Sequence, residues 1–159
     1  MSSFLIDLAT LQPGLSQVVV ETEAGGLGFE PEQWAGAVRG VFDVEKLNER
    51  VSVRGRLEAT ARLECVRCLG AFDLPIVVPF EVYAERAGTG ASRSEERELE
   101  RDHYMKFHDG RRLDLADEVR EMLLLEIPMT PRCREDCRGL CPGCGADLNA
   151  GPCGCGANA

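Results

Sequence analysis

The chain has 159 residues, a formal net charge of -9, and 44% hydrophobic residues of which few are aromatic. That length supports one ordinary domain with a small appendage, and the charge repels phosphate, so nucleic acid can be reached only through a local basic surface or through another protein. No apolar run approaches membrane-spanning length, and Met1-Ser-Ser-Phe-Leu-Ile-Asp7 lacks the basic and apolar regions of a secretory signal, so the expected location is a reducing cytoplasm.

In chain order, Ala37–Val44 reads as a first strand. From Glu49 to Glu64 the odd positions Val51, Val53, Gly55, Leu57, Ala59, Ala61 and Leu63 are apolar or small and the even ones polar. That period of two predicts a half-buried strand or a hairpin. Cys65-Val-Arg-Cys68-Leu-Gly70 falls where the chain must reverse, and Phe72, Leu74, Ile76, Val78, Phe80 and Val82 repeat the alternation. Consecutive strands of this kind imply a largely antiparallel sheet. Pro75 and Pro79 have no N–H to donate, so their strand is expected at an edge or interrupted.

The stretch near 87–110, with Arg93-Ser-Glu-Glu-Arg-Glu-Leu-Glu-Arg-Asp102 at its centre, carries one large apolar residue in a charged run. It reads as a mobile acidic loop, with a partner-contacting arm as the alternative. His103 and His108 follow and are expected to be solvated. Leu113–Ile127 places Leu115, Val119, Met122 and Leu123 at helical spacing, with Asp114 as the expected N-cap, Asp117 and Glu118 in the first turn and Pro128 as terminator. The helix is expected to pack on the sheet, a partner-binding stripe being the lesser reading. Pro128 and Pro131 then lead into the tail.

That tail gathers six of the eight cysteines, Cys133, Cys137, Cys141, Cys144, Cys153 and Cys155. Cys141-Pro-Gly-Cys144-Gly has the form of a metal knuckle, in which glycines let the backbone turn so that two thiolates face one ion. With too few apolar residues for a core of its own, the tail is expected to be ordered by zinc, ahead of disulfides and of an iron-sulfur cluster. Eight thiols permit two four-thiolate sites, Cys65 and Cys68 with Cys133 and Cys137, and Cys141, Cys144, Cys153 and Cys155 by themselves; one zinc with spare thiols is the alternative. No phosphate loop, zinc-protease motif, nucleophile elbow or dinucleotide fingerprint occurs. A redox role for Cys65 and Cys68 is a weaker reading, because such a pair normally opens a helix and here it lies between strands. Arg54, Arg56 and Arg62 share one strand face, with Arg67 at the turn, and are the candidate contacts for RNA or a partner; pairing with Glu58, Glu64 and neighbouring strands is the competing expectation.

Leu63-Glu-Cys-Val-Arg-Cys-Leu-Gly-Ala-Phe72, Leu113-Asp-Leu-Ala-Asp-Glu-Val119, Ile127-Pro-Met-Thr-Pro-Arg-Cys133 and Cys137-Arg-Gly-Leu-Cys-Pro-Gly-Cys-Gly-Ala-Asp-Leu-Asn149 together resemble the bacterial YceD family, the large ribosomal RNA subunit accumulation family also found in plastids. The resemblance runs from about Gly40 to Cys155. It implies a non-enzymatic cytoplasmic factor for accumulation or maturation of large-subunit ribosomal RNA, without established catalytic residues. Its partner would be the pre-ribosomal large subunit or its RNA, met directly or through a protein. A general zinc-ribbon interaction module is the alternative function. The expected architecture is α+β: residues 1–127 form a mostly antiparallel sheet with one packing helix, and residues 128–159 form a zinc-ordered cysteine tail holding one or two ions. Neither a membrane nor a small-molecule substrate is implied.

Overall fold

The computed structural model describes residues 4–101 and 105–155. In chain order the elements are β1 (Leu5–Asp7), β2 (Gly14–Glu23), β3 (Trp34–Leu47), β4 (Arg50–Glu64), β5 (Ala71–Arg86), α1 (Arg93–Arg101), β6 (Lys106–His108), β7 (Arg112–Asp114) and α2 (Ala116–Glu126). The main sheet has the order β2-β3-β4-β5-β6; its first three pairings are antiparallel, while β6 runs parallel to β5. A separate two-stranded ribbon pairs β1 with β7.

Alternation along β3, β4 and β5 decides which face of the sheet is dry. Val38, Phe42 and Val44 point inward with Val51, Val53, Leu57, Ala61, Ile76, Val78 and Phe80. They meet Phe4, Ile6 and Leu8 from the N-terminal segment and Leu113, Leu115, Val119 and Leu123 from the β7–α2 segment. Each such large side chain contributes roughly 1.5–3 kcal/mol by leaving water. Phe42 is the centre of an aromatic cluster, 6.1 Å from Phe4 and 5.3 Å from Phe80 between ring centroids. Gly55 interrupts the inward row because a Cβ there would run into the Val41 carbonyl. The opposite face of the sheet carries the charged residues of β4, with Val19 and Val77 exposed among its neighbours.

The Glu49–Glu64 pattern is one continuous strand rather than a hairpin. Pro75 and Pro79 lie on the part of β5 that pairs only with β4, since β6 reaches no further than Ala84–Arg86. Over that stretch β5 is an edge, where a missing donor costs no ladder bond. The N-terminal strands β1 and β2 have no counterpart in the sequence expectations, although β2 pairs with β3 along its whole length.

Three expectations need correction. The segment near 87–110 is not a loop throughout, and the described residues form two α-helices rather than one. Ser92 and Glu95 form a reciprocal capping box: the Glu95 amide donates to Ser92 Oγ (3.4 Å) and the Ser92 amide to Glu95 Oε2 (2.7 Å), which starts α1. Glu96 is buried and accepts from the Gly88 amide, fastening α1 to the chain before it. His108 is not solvated: it is 6% exposed, its Nδ1 accepts from the Gly110 amide and its Nε2 lies 3.1 Å from the Glu49 carbonyl oxygen. Asp102 and His103 lie outside the described residues. Finally, α2 starts at Ala116, because Leu113 is held in β7; Asp114 Oδ1 accepts from the Ala116 amide (3.0 Å) from one residue before the cap position. Ile127 is extended, as the residue before Pro128 must be, and the helix ends there.

Candidate metal centre

The β4–β5 reversal and the tail form the same turn from different sequences. In the first, the Cys65 amide donates to the Gly70 carbonyl (2.9 Å) and the Leu69 amide to the Cys65 carbonyl (2.9 Å). In the second, the Cys141 amide donates to the Ala146 carbonyl (2.8 Å) and the Gly145 amide to the Cys141 carbonyl (2.8 Å). The residue after each second cysteine has positive φ, +60° at Leu69 and +73° at Gly145. Glycine takes that conformation without cost, whereas leucine is strained in it.

After α2 the chain returns to the first turn. The Val66 amide donates to the Pro131 carbonyl (2.9 Å), the Leu140 amide donates to the Arg67 carbonyl (3.2 Å), and Arg67 Nη1 donates to the Cys137 carbonyl (3.0 Å). Gly139 packs so closely on Arg67 that a Cβ would sit 3.1 Å from the Arg67 oxygen, at φ +75°. This docking carries Cys133 and Cys137 to Cys65 and Cys68. The Cys65–Cys137 and Cys68–Cys133 Sγ distances are 3.7 and 3.8 Å. In the second group Cys141 lies 3.4 Å from Cys153 and 3.5 Å from Cys155, which are 3.4 Å apart, and Cys144 completes the set.

All four sulfurs of each group lie within 4.8 Å of one another. A tetrahedron with metal–sulfur bonds of about 2.3 Å has edges of about 3.8 Å, whereas a disulfide bond is about 2.05 Å. The observed spacings suit four thiolates around a single ion and are too long for disulfides. They also disfavour a multi-iron cluster, whose thiolates bind separate irons and therefore stand further apart. The residues thus fit one metal per group, in the two sets of four that the sequence partition pairs.

The backbone prepares some thiols to ionise. The amides of Cys68 and Cys133 aim at Cys65 and pull its thiol down to about 6; those of Cys144 and Gly143 do the same for Cys141. The Asn149 side-chain amide lowers the Cys137 thiol, with Nδ2 3.3 Å from Sγ. In compensation, burial and then the neighbouring Cys137 sulfur push Cys133 up to about 12. At Cys153 the Cys155 amide pulls down, but the Cys141 and Cys155 thiols raise it to about 11. Like charges this close cannot all persist without a cation between them.

Sequence reasoning did not single out Asn149. Its Oδ1 accepts from the Arg138 amide (2.9 Å) and from Arg134 Nη2 (2.8 Å) while its Nδ2 donates to Cys137 Sγ and to Asp147 Oδ1 (2.9 Å). It therefore ties the loop of the second group to a sulfur of the first. Its only signal in the sequence was its place at the end of a motif.

The structure does bring Arg54, Arg56 and Arg62 to the open face of the sheet, each beside an acid: Arg54 bonds Glu81 (2.7 Å) and Tyr83 Oη (2.9 Å), Arg56 bonds Glu58 (2.7 Å), and Arg62 lies 3.4 Å from Asp73. Arg67 is spent on the Cys137 carbonyl. Glu64, the other acid expected to pair with this face, forms none of these bridges. Among the described residues no helix is long and apolar enough to cross a membrane.

An open, largely antiparallel sheet joined to its tail through one four-thiol cluster, with a second such cluster inside the tail, defines the protein as a β-rich scaffold carrying a cysteine module. The family model described as large ribosomal RNA subunit accumulation protein YceD matches residues 53–159, so the chain belongs to the YceD family. It is 30% identical over 149 residues to an uncharacterized protein of Mycobacterium leprae, covering 93% of this chain and 63% of that one. An uncharacterized protein of Mycobacterium bovis is 34% identical over 110 residues, covering 69% of this chain and 50% of the relative. The chain thus spans about half to two thirds of the length of these curated relatives. A 44-residue stretch is 41% identical to the large ribosomal RNA subunit accumulation protein YCED homolog 1, chloroplastic, of Arabidopsis thaliana, covering 28% of this chain and 14% of the relative. No solved structure matches.

Proposed function

We propose that this protein is a non-enzymatic accessory factor for large-subunit ribosomal RNA accumulation that works by binding in the cytoplasm, with a structural zinc ion in each four-thiol group. The observation that carries the zinc reading is the pair of sulfur sets with the edge lengths of a tetrahedral single-ion site. Zinc suits an all-thiolate tetrahedron and needs no redox partner. The ribosomal part rests on family membership: the matched description and the chloroplast relative both name large-subunit ribosomal RNA accumulation. The bridging thiols sit between a sheet and a docked tail, a position that suits scaffolding rather than turnover. Residues 128–159 are then a module that metal orders upon the sheet domain of residues 1–127.

On this reading, any direct RNA contact runs over the open sheet face with Arg54, Arg56 and Arg62, and Arg67 at its end, and must open the bridges to Glu81, Glu58 and Asp73. Elemental analysis of protein prepared under reducing conditions is expected to give two zinc ions per chain; metal-free protein with an ordered tail would overturn the zinc reading. Deleting the gene is expected to lower mature large-subunit RNA relative to small-subunit RNA, and an unchanged ratio at normal and low temperature would remove the ribosomal reading. A triple Arg54→Gln, Arg56→Gln, Arg62→Gln variant separates RNA contact from protein contact. Loss of salt-sensitive binding to pre-ribosomal particles indicates RNA, and binding unaffected by the triple change places the partner surface elsewhere.

A further inference from the structure

We propose that the outer edge of β2 is a dimer interface, at which a second copy of this chain pairs antiparallel about a two-fold axis at Val19. The main sheet ends in β2 on one side, where among the described residues only β3 pairs with it. Every second residue of such an edge turns its N–H and C=O outward, a template for another strand. The far edge of the sheet is blunted, since Pro75 and Pro79 leave β5 without two donors and β6 covers its end. No such device protects β2. It is ten residues long, Gly-Leu-Ser-Gln-Val-Val-Val-Glu-Thr-Glu, with no proline, no lysine and no register shift against β3. On its open face Leu15 and Val19 are 72% and 55% exposed.

The strand is complementary to itself, which selects a second copy over an unrelated strand. Its charges, Glu21 and Glu23, lie at one end and none lies at the other. Antiparallel pairing of two copies therefore sets carboxylates against uncharged residues, whereas parallel pairing in register would set them against each other. Directly opposed residues share a face, and a two-fold axis normal to the sheet keeps the dry faces of both copies on one side. Of the registers that do so, the one centred on Val19 matches all three valines: Val19 opposes Val19, and Val18 of one copy opposes Val20 of the other. It also sets Ser16 opposite Thr22, Leu15 opposite Glu23, and Gln17 opposite Glu21. The Gln17 carboxamide can then donate to a carboxylate whose other neighbour is Arg39, 3.9 Å away. A shift of two residues either way would put Val19 against Gln17 or Glu21. Val18 and Val20 are only partly buried at the margin of the core, and the second copy extends their cover. Paired β-branched residues and a Ser–Thr pair are favourable cross-strand neighbours. The two main sheets become one, with Arg54, Arg56 and Arg62 of both copies on the same side. A strand of ten residues is fewer than the roughly 20–30 a side of a standard interface, so the dimer is expected to dissociate rather than be permanent.

The test is sedimentation velocity of the full chain, purified under reducing conditions, over a concentration series, with amide hydrogen exchange of β2 measured at both extremes. A monomer–dimer equilibrium with a dissociation constant on the order of micromolar is expected, and the β2 amides should gain protection as the dimer fills. Val19→Lys and Val19→Glu should each weaken dimerisation about ten-fold or more, because each brings like charges together at the axis. Mixing the two variants should recover that loss, since opposite charges then meet. Val19 is more than half exposed, so both variants should keep the amide spectrum of the sheet. The exchange measurement on the parent chain needs no variant at all. A chain that stays monomeric up to ~1 mM, β2 protection that does not change with concentration, dimerisation that neither variant weakens, or a mixture no stronger than its components would each overturn the proposal. Neither zinc content nor the ribosomal RNA ratio enters these outcomes.

Discussion

Asn149 touches both halves of the cysteine module, and a single carboxamide does so because it can donate and accept at once. Its Nδ2 reaches Cys137 Sγ while its Oδ1 receives Arg134 and the Arg138 amide. A hydrogen bond to a ligating sulfur stabilises the thiolate and fixes its direction. Asn149→Ala is therefore expected to weaken metal retention at the Cys65–Cys137 group by roughly ten-fold or more, as loss of such supporting partners does elsewhere. Competition with a chromogenic chelator checks this, and Asn149→Asp, which keeps the acceptor but loses the donor, should behave similarly. Leu69 offers the contrasting case. It holds φ +60° where the twin turn has Gly145 at +73°, and it is 57% exposed, so little packing offsets its strain. Leu69→Gly should leave stability unchanged or raise it, because relief of about 1 kcal/mol of backbone strain offsets the flexibility of glycine in the unfolded chain. Leu69→Val, β-branched at the same φ, should lower the thermal midpoint; a clear loss on Leu69→Gly would show that leucine is needed for something other than the turn.

Among the elements, α1 is the one that composition misjudges. Arg93–Arg101 contains a single large apolar residue, and a charge count assigns it to a loop, yet Ser92 and Glu95 three residues apart are a helix start signal. The amide of Ser92, and then its hydroxyl, hold the Glu95 carboxyl below its ordinary range. A lowered folded value means that the contribution is fully present above the unfolded carboxylate value near 4.5 and is lost as pH falls through the lower folded value. Protection of the α1 amides against hydrogen exchange should accordingly be constant at neutral pH and fall on acidification below that value. Glu95→Gln should remove this pH dependence and Ser92→Ala should lower protection at every pH. The strands, by contrast, follow their period-two patterns closely, and β5 tolerates Pro75 and Pro79 because only β4 pairs with it there and its other side is an open edge.

At the scale of the whole molecule the two thiol groups are not equivalent. Cys65 and Cys137 are buried and join the β4–β5 turn to the returning chain, whereas Cys144 and Cys155 are exposed and belong with Cys141 and Cys153 to one local segment. The binding free energy of a structural zinc, on the order of 10 kcal/mol at neutral pH, is folding free energy for whatever it orders. Cys141→Ser should release one ion per chain and loosen the chain from about residue 141 while the sheet survives. Cys65→Ser should release the ion that holds the tail on the sheet and expose protease sites from Pro131 onward. Native mass spectrometry and limited proteolysis distinguish the two, and identical behaviour of the variants would deny the division of labour. The sequence alone determined what depends on near neighbours: alternation set the faces of β3, β4 and β5, Pro128 ended α2, and C-x2-C spacing marked both turns. The partition of eight thiols into two fours was one of two readings that the spacing left open, beside a single zinc with spare thiols, and the structure gathers the sulfurs in those two sets. Only the tertiary structure decided where chain segments distant in sequence meet. His108 is buried by the Glu49 carbonyl, Asn149 is placed against Cys137, and acids from β5 come beside Arg54 and Arg62, as Glu58 of β4 itself does beside Arg56. Such meetings follow from the summed packing of a shared core, which no local pattern encodes.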